Sequence, residues 1–230
     1  MQENLKKFSQ CMSLGKYAQA QQILNEHRVD IENNFDADHP AQLSVDNNQA
    51  LLLKLDGNPQ EAKQIFKRVV QKYALFYGEQ HPSYINALIN LASVHKDLGE
   101  NEEAIPLYEK AIEGRIAVEG PDSTQVAMAK AMAAGAYRDS EQYDKADLYL
   151  KDAYLKVALE YGEDTVSASV ILNSQGLLYK KQGKFERAKD NYERSLDIRE
   201  RHFGEDHPET IATRHNLGEM YMMWNKPQQA

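Results

Sequence analysis

The sequence predicts an all-α fold, a right-handed superhelical solenoid of antiparallel helix-turn-helix repeats. Three ladders sharing a 42-residue step predict it. Ala20, Ala62, Ala104, Ala146, Ala188 and Ala230 form the first, and Gly78, Gly120, Gly162 and Gly204 the second. The third is His39-Pro40, His81-Pro82, Ser123-Thr124, Thr165-Val166 and His207-Pro208. Self-similarity at a fixed period of about 20–50 residues marks stacked supersecondary units. The period places hairpins at 1–38, 39–80, 81–122, 123–164 and 165–206, with an incomplete repeat at 207–230. No Pro/Gly/Ser-rich linker interrupts them, so 1–230 is expected to be a single solenoid domain.

Residues 81–122 show how each element arises. Pro82 suits the first turn of a helix, where its missing N–H costs nothing. Leu88, Leu91, Ala92 and His95 then recur at helical steps, predicting a helix to about Leu98. Gly99, Glu100 and Asn101 make the turn. A second helix carries Ala104, Tyr108, Ala111 and Ile112 on one face and stops at Gly120, which suits a left-handed cap. The other hairpins repeat this plan. Ala50, Ala92, Ala134, Gly176 and Gly218 are equivalent small residues that allow close helix approach. Phe66, Tyr108, Leu150 and Tyr192 are equivalent large ones that fill the space between hairpins. No hairpin can bury its apolar stripe alone, so stacking is obligatory.

The net charge of −8, without a Lys/Arg block, argues against nucleic acid or an anionic membrane as partner. No apolar run reaches the length of a membrane span, and the N-terminus lacks a signal-peptide pattern. A single cysteine, Cys11, excludes an internal disulfide framework and a cysteine-based zinc site. A reducing compartment follows: the cytoplasm, or an organelle reached through a presequence removed from the chain.

The small–aromatic–small helix-turn-helix pattern resembles tetratricopeptide repeats (TPRs), and its longer period resembles the kinesin-light-chain subclass. The residues that carry the likeness are Gly15-Lys16-Tyr17-Ala18-Gln19-Ala20, Gly183-Lys184-Phe185-Glu186-Arg187-Ala188 and Asn191-Tyr192-Glu193-Arg194-Ser195-Leu196, with the linker Phe203-Gly204-Glu205-Asp206-His207-Pro208. Phe8 departs from the pattern by replacing the small residue of the first hairpin, and Asn47-Asn48-Gln49 makes the second unusually polar. The resemblance implies a protein-interaction scaffold whose first helices line a concave groove.

Helical spacing places four equivalent basic residues, Lys54, Lys96, Arg138 and Lys180, on that groove face. Such a stripe favours an acidic segment, although a cation near a helix C-terminus also simply suits the dipole. Asn48, Asn90 and Asn216 are again equivalent, with Asn47 and Asn173 nearby. An asparagine amide both donates and accepts, so it can pair with a peptide backbone of any sequence. The resemblance implies that role for asparagines here. In the helix starting near Met128, Ala131 and Gly135 leave space while Met128 and Met132 offer adaptable walls. They predict either a pocket for one large side chain or an Ala-rich helix packed closely on its neighbours.

Other chemistries find no support. Clamps for chaperone C-termini need an early Lys and an Arg one turn later, whereas these stations hold Ser44, Asn86, Met128, Val170 and Ala212, then Asn48, Asn90, Met132, Ser174 and Asn216. His39, His81 and His207 are repeat equivalents before prolines. Neighbouring helices about 8–10 Å apart cannot bring equivalents onto one metal at bonds of about 2 Å. No catalytic triad, phosphate loop or metal motif is recognisable. The expectation is a non-enzymatic adaptor without cofactor, binding an extended, acidic peptide with an apolar anchor. A structural subunit or assembly factor docking through the convex face is the alternative. Leu217, Met220, Tyr221, Met223 and Trp224 form an apolar end after which the chain stops, which predicts a fragment of a longer protein, or end-to-end docking on a partner or second copy.

Overall fold

The computed structural model describes residues 2–36 and 39–225, and these are helical throughout apart from caps and turns. Eleven helices occur among the described residues, with no strand. The chain divides into two compact units, Met1–Val118 and Glu119–Ala230. The last rung of the alanine ladder, Ala230, lies outside the described residues.

Unit 1 holds α1 (Gln2–Ser13), α2 (Tyr17–Asn34), α3 (Gln42–Leu55), α4 (Pro59–Tyr77), α5 (Pro82–Asp97) and nearly all of α6 (Asn101–Glu119). α1 packs on α2 and α3 on α4 as helix hairpins, α2 meets α3 and α4 meets α5 between hairpins, and α3 also touches α5. Phe8, Ala20, Leu24, Ile31, Val45 and Leu52 form one core cluster. Ala50, Ala62, Phe66, Leu91 and Val94 form the next. Phe8, the departure from the small-residue ladder, is thus accommodated by burial in the first cluster. The large residue is tolerated there because Ala20 leaves space across the hairpin.

Unit 2 holds α7 (Thr124–Asp139), α8 (Tyr143–Tyr161), α9 (Val166–Lys181), α10 (Phe185–Phe203) and α11 (Pro208–Trp224). Here α9 touches both α7 and α11, so three first helices stand side by side. Tyr179, Ala188, Tyr192 and Met220 form one core cluster of this unit, drawn from α9, α10 and α11. Ala20, Ala62, Ala104, Ala146 and Ala188 are all 0% exposed, which explains why the ladder permits only a methyl group.

Helix ends follow local chemistry. Ser123 and Thr165 cap α7 and α9 by accepting the backbone N–H of Val126 and Ala168, each at 3.1 Å. His81 and His207 cap α5 and α11 with a ring nitrogen instead, and His39 makes the same bond in the turn ahead of α3. Nδ1 of His39, His81 and His207 accepts the N–H of the residue two places on, at 3.1, 3.2 and 3.2 Å. Each ring also stacks on the aromatic residue four places earlier: Phe35, Tyr77 and Phe203, at centroid distances of 4.1, 4.6 and 4.2 Å. The turn within each hairpin uses a positive-φ residue, Gly15, Gly57, Gly99 and Gly183, except that Glu141 occupies the equivalent position at φ 61°.

Candidate functional site

The first helices carry the side chains that the sequence singles out, and each unit arranges them in one recurring pattern. In unit 1, Asn90 Nδ2 of α5 donates to Asn47 Oδ1 of α3 at 3.0 Å. Asn47 Nδ2 in turn lies 3.5 Å from Asn48 Oδ1. In unit 2, Asn216 Nδ2 of α11 donates to Asn173 Oδ1 of α9 at 3.2 Å. Both inter-helix bonds span 43 residues, one repeat plus one, so the asparagines form the same rung twice. All five are half-buried. Each donor amide uses one N–H in its rung; its carbonyl and second N–H are further hydrogen-bonding capacity.

The four basic residues are half-buried too, and each has an acid beside it. Lys54 Nζ donates to Ser93 Oγ at 2.6 Å and pairs with Asp97 Oδ2 at 2.9 Å. Lys96 Nζ lies 3.2 Å from Asp97 Oδ1, so two lysines share one carboxylate. Burial would raise the Asp97 pKa, but the Lys54 hydrogen bond and the charges of Lys96 and Lys54 prevail and hold it below the ordinary value. Arg138 grips Asp139 with two parallel bonds, Nε to Oδ1 at 2.8 Å and Nη2 to Oδ2 at 3.0 Å. Lys180 Nζ donates to Glu219 Oε2 on α11 at 2.9 Å, and this bond with the lysine's charge lowers the Glu219 pKa.

Sequence reasoning missed these counter-ions. The signal was present as spacing: Lys54 to Asp97 is one repeat plus one residue, and Lys180 to Glu219 one repeat minus three. Register arithmetic on charges, applied between repeats, would have found both.

The residues considered for an apolar pocket do not share one environment. Met132 is 39% exposed, whereas Ala131 is buried, and Met128 and Gly135 are half-buried. Met128, Met132 and Gly135 share one helix face by their spacing of four and three residues. On α11, Met220 is fully buried and Trp224 stacks on Phe185 and Tyr221, at centroid distances of 6.1 and 6.2 Å. The apolar end therefore covers part of itself against the start of α10, while Met222 and Met223 stay exposed.

The even helices have a different surface. Leu75 at the end of α4 is 80% exposed, and Leu159 near the end of α8 is 85% exposed. Leu148 and Leu155 extend the α8 stripe at helical spacing. Among the described residues, no group of three His, Cys, Asp or Glu side chains is placed to hold a metal ion. No described helix is long and apolar enough to cross a membrane.

Known proteins bear on this arrangement in three ways. The tetratricopeptide repeat family matches residues 42–117, 84–154 and 167–230. No curated protein matches the sequence. Among solved structures, the kinesin-light-chain-type, nearly identical TPR-like repeats from Podosopora anserina are 18% identical with a TM-score of 0.61, over 87% of this chain and 95% of that one. BtubC (BKLC) from P. vanneervenii is 23% identical with a TM-score of 0.63, over 91% of this chain and 83% of that one. At these identities the likeness establishes the fold alone, an all-α, TPR-like solenoid, and the similar structures carry kinesin-light-chain-type repeats. With more than half of its length matched and its hairpins built on the same plan, the chain belongs to the tetratricopeptide repeat family, a family of protein-interaction modules.

Proposed function

We propose that the chain is a non-enzymatic adaptor working in a reducing compartment such as the cytoplasm, and that its first-helix faces bind an extended, acidic peptide carrying a bulky apolar side chain. The observation that carries this reading is the repeated asparagine rung, Asn90 to Asn47 and Asn216 to Asn173. The rungs fix their amides in one orientation, so ligand binding costs little further side-chain entropy. The remaining carbonyl and N–H of each donor suit a peptide backbone.

Charge supports an acidic ligand most in unit 1. There Lys54 and Lys96 share Asp97, which leaves one positive charge over. Arg138 and Lys180 each have their own acid. Exposed charge pairs contribute roughly 0.2–1 kcal/mol each, whereas a micromolar complex needs about 8 kcal/mol. The basic residues therefore select among ligands, and backbone pairing with one apolar anchor supplies most of the affinity. Burial of one such side chain adds roughly 1.5–3 kcal/mol. The exposed Met132 side chain, with Met128 and Gly135 on the same face, is the proposed seat of that anchor.

The charge-reversed protein Lys96→Glu, Arg138→Glu tests this reading. It should lose affinity for acidic peptides that bind wild type while keeping its helical melting behaviour. Unchanged affinity for all of them rules the basic residues out as a selecting element.

A second reading is a structural subunit or assembly factor. The exposed leucines of α4 and α8 favour it, as do Met222 and Met223 for docking on a partner or a second copy. Under that reading first-helix mutants leave association intact, and Leu155→Lys with Leu159→Lys abolishes it.

A further inference from the structure

The solvent side of α8 differs in character from that of its sister helices. Leu148, Leu155 and Leu159 are 54%, 67% and 85% exposed. Their spacing of seven and four residues keeps all three within about 40° around the helix. Apolar residues are not the rule at these stations. Leu148 corresponds to Gln64, Pro106 and Asp190 in α4, α6 and α10, and Leu155 to Gln71, Glu113 and Asp197. The fold therefore accepts polar side chains at both places, and leucine there answers no packing need within the chain. Aligned, exposed apolar side chains of this kind mark a contact surface.

The charges beside the stripe match a second copy of the same stripe. On the flank toward α7, Asp152 lies 3.3 Å from Lys130, and Lys156 lies 3.4 Å from Glu160. Both pairs are long and partly exposed, so each charge can take a further partner. Asp152 and Lys156 are centred on position 154, and Leu148 and Leu159 are centred half a residue away. A twofold axis there, relating two antiparallel α8 helices, sets Leu148 against Leu159 of the second copy and Leu155 against Leu155. The same axis sets Asp152 against Lys156 of the second copy, twice over. A parallel pairing would place each charge beside its own like. Lys151 and Asp147 close the other flank, paired within α8 at 2.6 Å, and add no net charge.

We propose that two copies of the chain associate through α8 as an antiparallel, isologous helix pair. The inference rests on the structural-subunit reading above and names the occupant of the α8 leucines. Each helix of 19 residues offers a seam about 28 Å long. One helix pair covers less than the roughly 800 Å² per partner of a standard interface, so the dimer dissociates at about 10–100 μM. Association thus responds to how densely the chain is gathered, and the first-helix faces of both copies stay open.

Sedimentation equilibrium tests the association, and disulfide trapping tests its geometry. Wild type, 26.2 kDa as a monomer, should approach twice that mass at several hundred micromolar. Leu155→Lys should weaken the dimer roughly tenfold or more at an unchanged melting midpoint, because the side chain it replaces is exposed. Asp152→Lys should weaken it too, and adding Lys156→Asp should restore it, a rescue specific to a self-pairing surface. For trapping, Cys11→Ser removes the native thiol. In that background Leu155→Cys should yield a linked dimer, its two copies standing about 3 Å apart along the helix. Leu148→Cys alone should not, at about 18 Å, but mixed with Leu159→Cys it should. A wild type that stays monomeric overturns the second copy as occupant and leaves the structural-subunit reading standing with another protein. A dimer that Leu155→Lys leaves intact overturns the α8 seam. One that also survives Leu155→Lys with Leu159→Lys takes the α8 part of that reading with it. Trapping through Leu148→Cys alone overturns the antiparallel register.

Discussion

The imidazole of His81 lies on the ring of Tyr77, 4.6 Å between centroids and tilted by 22°, while its Nδ1 receives the Ser83 backbone N–H. One side chain thus closes α4 and opens α5. The same device recurs at His207, whereas His39 accepts the Ala41 N–H in the turn ahead of α3, whose N-cap is Ala41. Proline supplies the first turn, and the histidine supplies the acceptor that satisfies an orphan donor. Replacing His81 by Ala should cost about 1 kcal/mol in a urea titration. Replacing it by Ser, the residue that performs this task at position 123, should recover most of that loss. Equal losses in both variants would place the stabilisation in the ring stack alone.

Glu141 is the one described non-glycine residue with positive φ, at 61°, where four sister turns use glycine. An L side chain pays roughly 1–2 kcal/mol in this region, partly offset by the extra unfolded-state entropy of glycine. Glu141→Gly should therefore raise stability by about 0.5–1 kcal/mol, seen as a higher urea midpoint at unchanged slope.

Gly176 and Tyr192 are a matched pair. A Cβ built on Gly176 comes within 2.6 Å of the tyrosine ring. Gly176→Ala should destabilise by about 1–3 kcal/mol through overpacking. One repeat earlier the same two stations hold Ala134 and Leu150, both buried. The double variant Gly176→Ala, Tyr192→Leu should therefore be more stable than the sum of its single changes, with a coupling of about 1 kcal/mol or more in a double-mutant cycle. Additive losses would contradict the packing argument. Gly218 shows the contrast, because a Cβ there meets nothing within 4 Å.

His27 is 1% exposed, and neither ring nitrogen has a partner. Burial disfavours its charged form and lowers its pKa below the ordinary 6.5. The unfolded chain therefore takes up this proton at higher pH than the folded chain does. Its contribution to stability is complete above pH 6.5 and is lost as pH falls through 6.5 toward the depressed folded value. Wild type minus His27→Leu, measured as denaturation midpoint against pH, should show a slope in that window and none above it. The variant itself should be as stable as wild type or more so at neutral pH, because no partner of the imidazole is left unmatched.

What could be read from residue order follows from what a fixed period encodes. Ala62 or Tyr108 recurs because every hairpin meets its neighbour at the same place, so the 42-residue step reports core positions directly. The first-helix candidates were legible for the same reason. Their ion pairs take one step more, register arithmetic between repeats, because pairing depends on the offset between neighbouring helices, which sets Lys54 against Asp97 and Lys180 against Glu219. Arg138 was harder still, since it curls back onto Asp139, the next residue in its own chain, and no periodicity argument pairs adjacent helical residues. Glu141 was hidden by the opposite effect. A turn built by four glycines tolerates one exception, and the strain appears only in its backbone angle.

Under the proposed function, ligand meets the first helices and not the even ones. An NMR titration of the labelled protein with a blocked nonapeptide, one Trp between four Glu on each side, follows backbone and side-chain amides together. Saturable shifts are expected in the side-chain amides of Asn90 and Asn216 and in the backbone of α5, α7 and α9, with α4 and α8 unmoved around Leu75 and Leu159. Shifts confined to α4 and α8, with the asparagine amides unmoved, would contradict it.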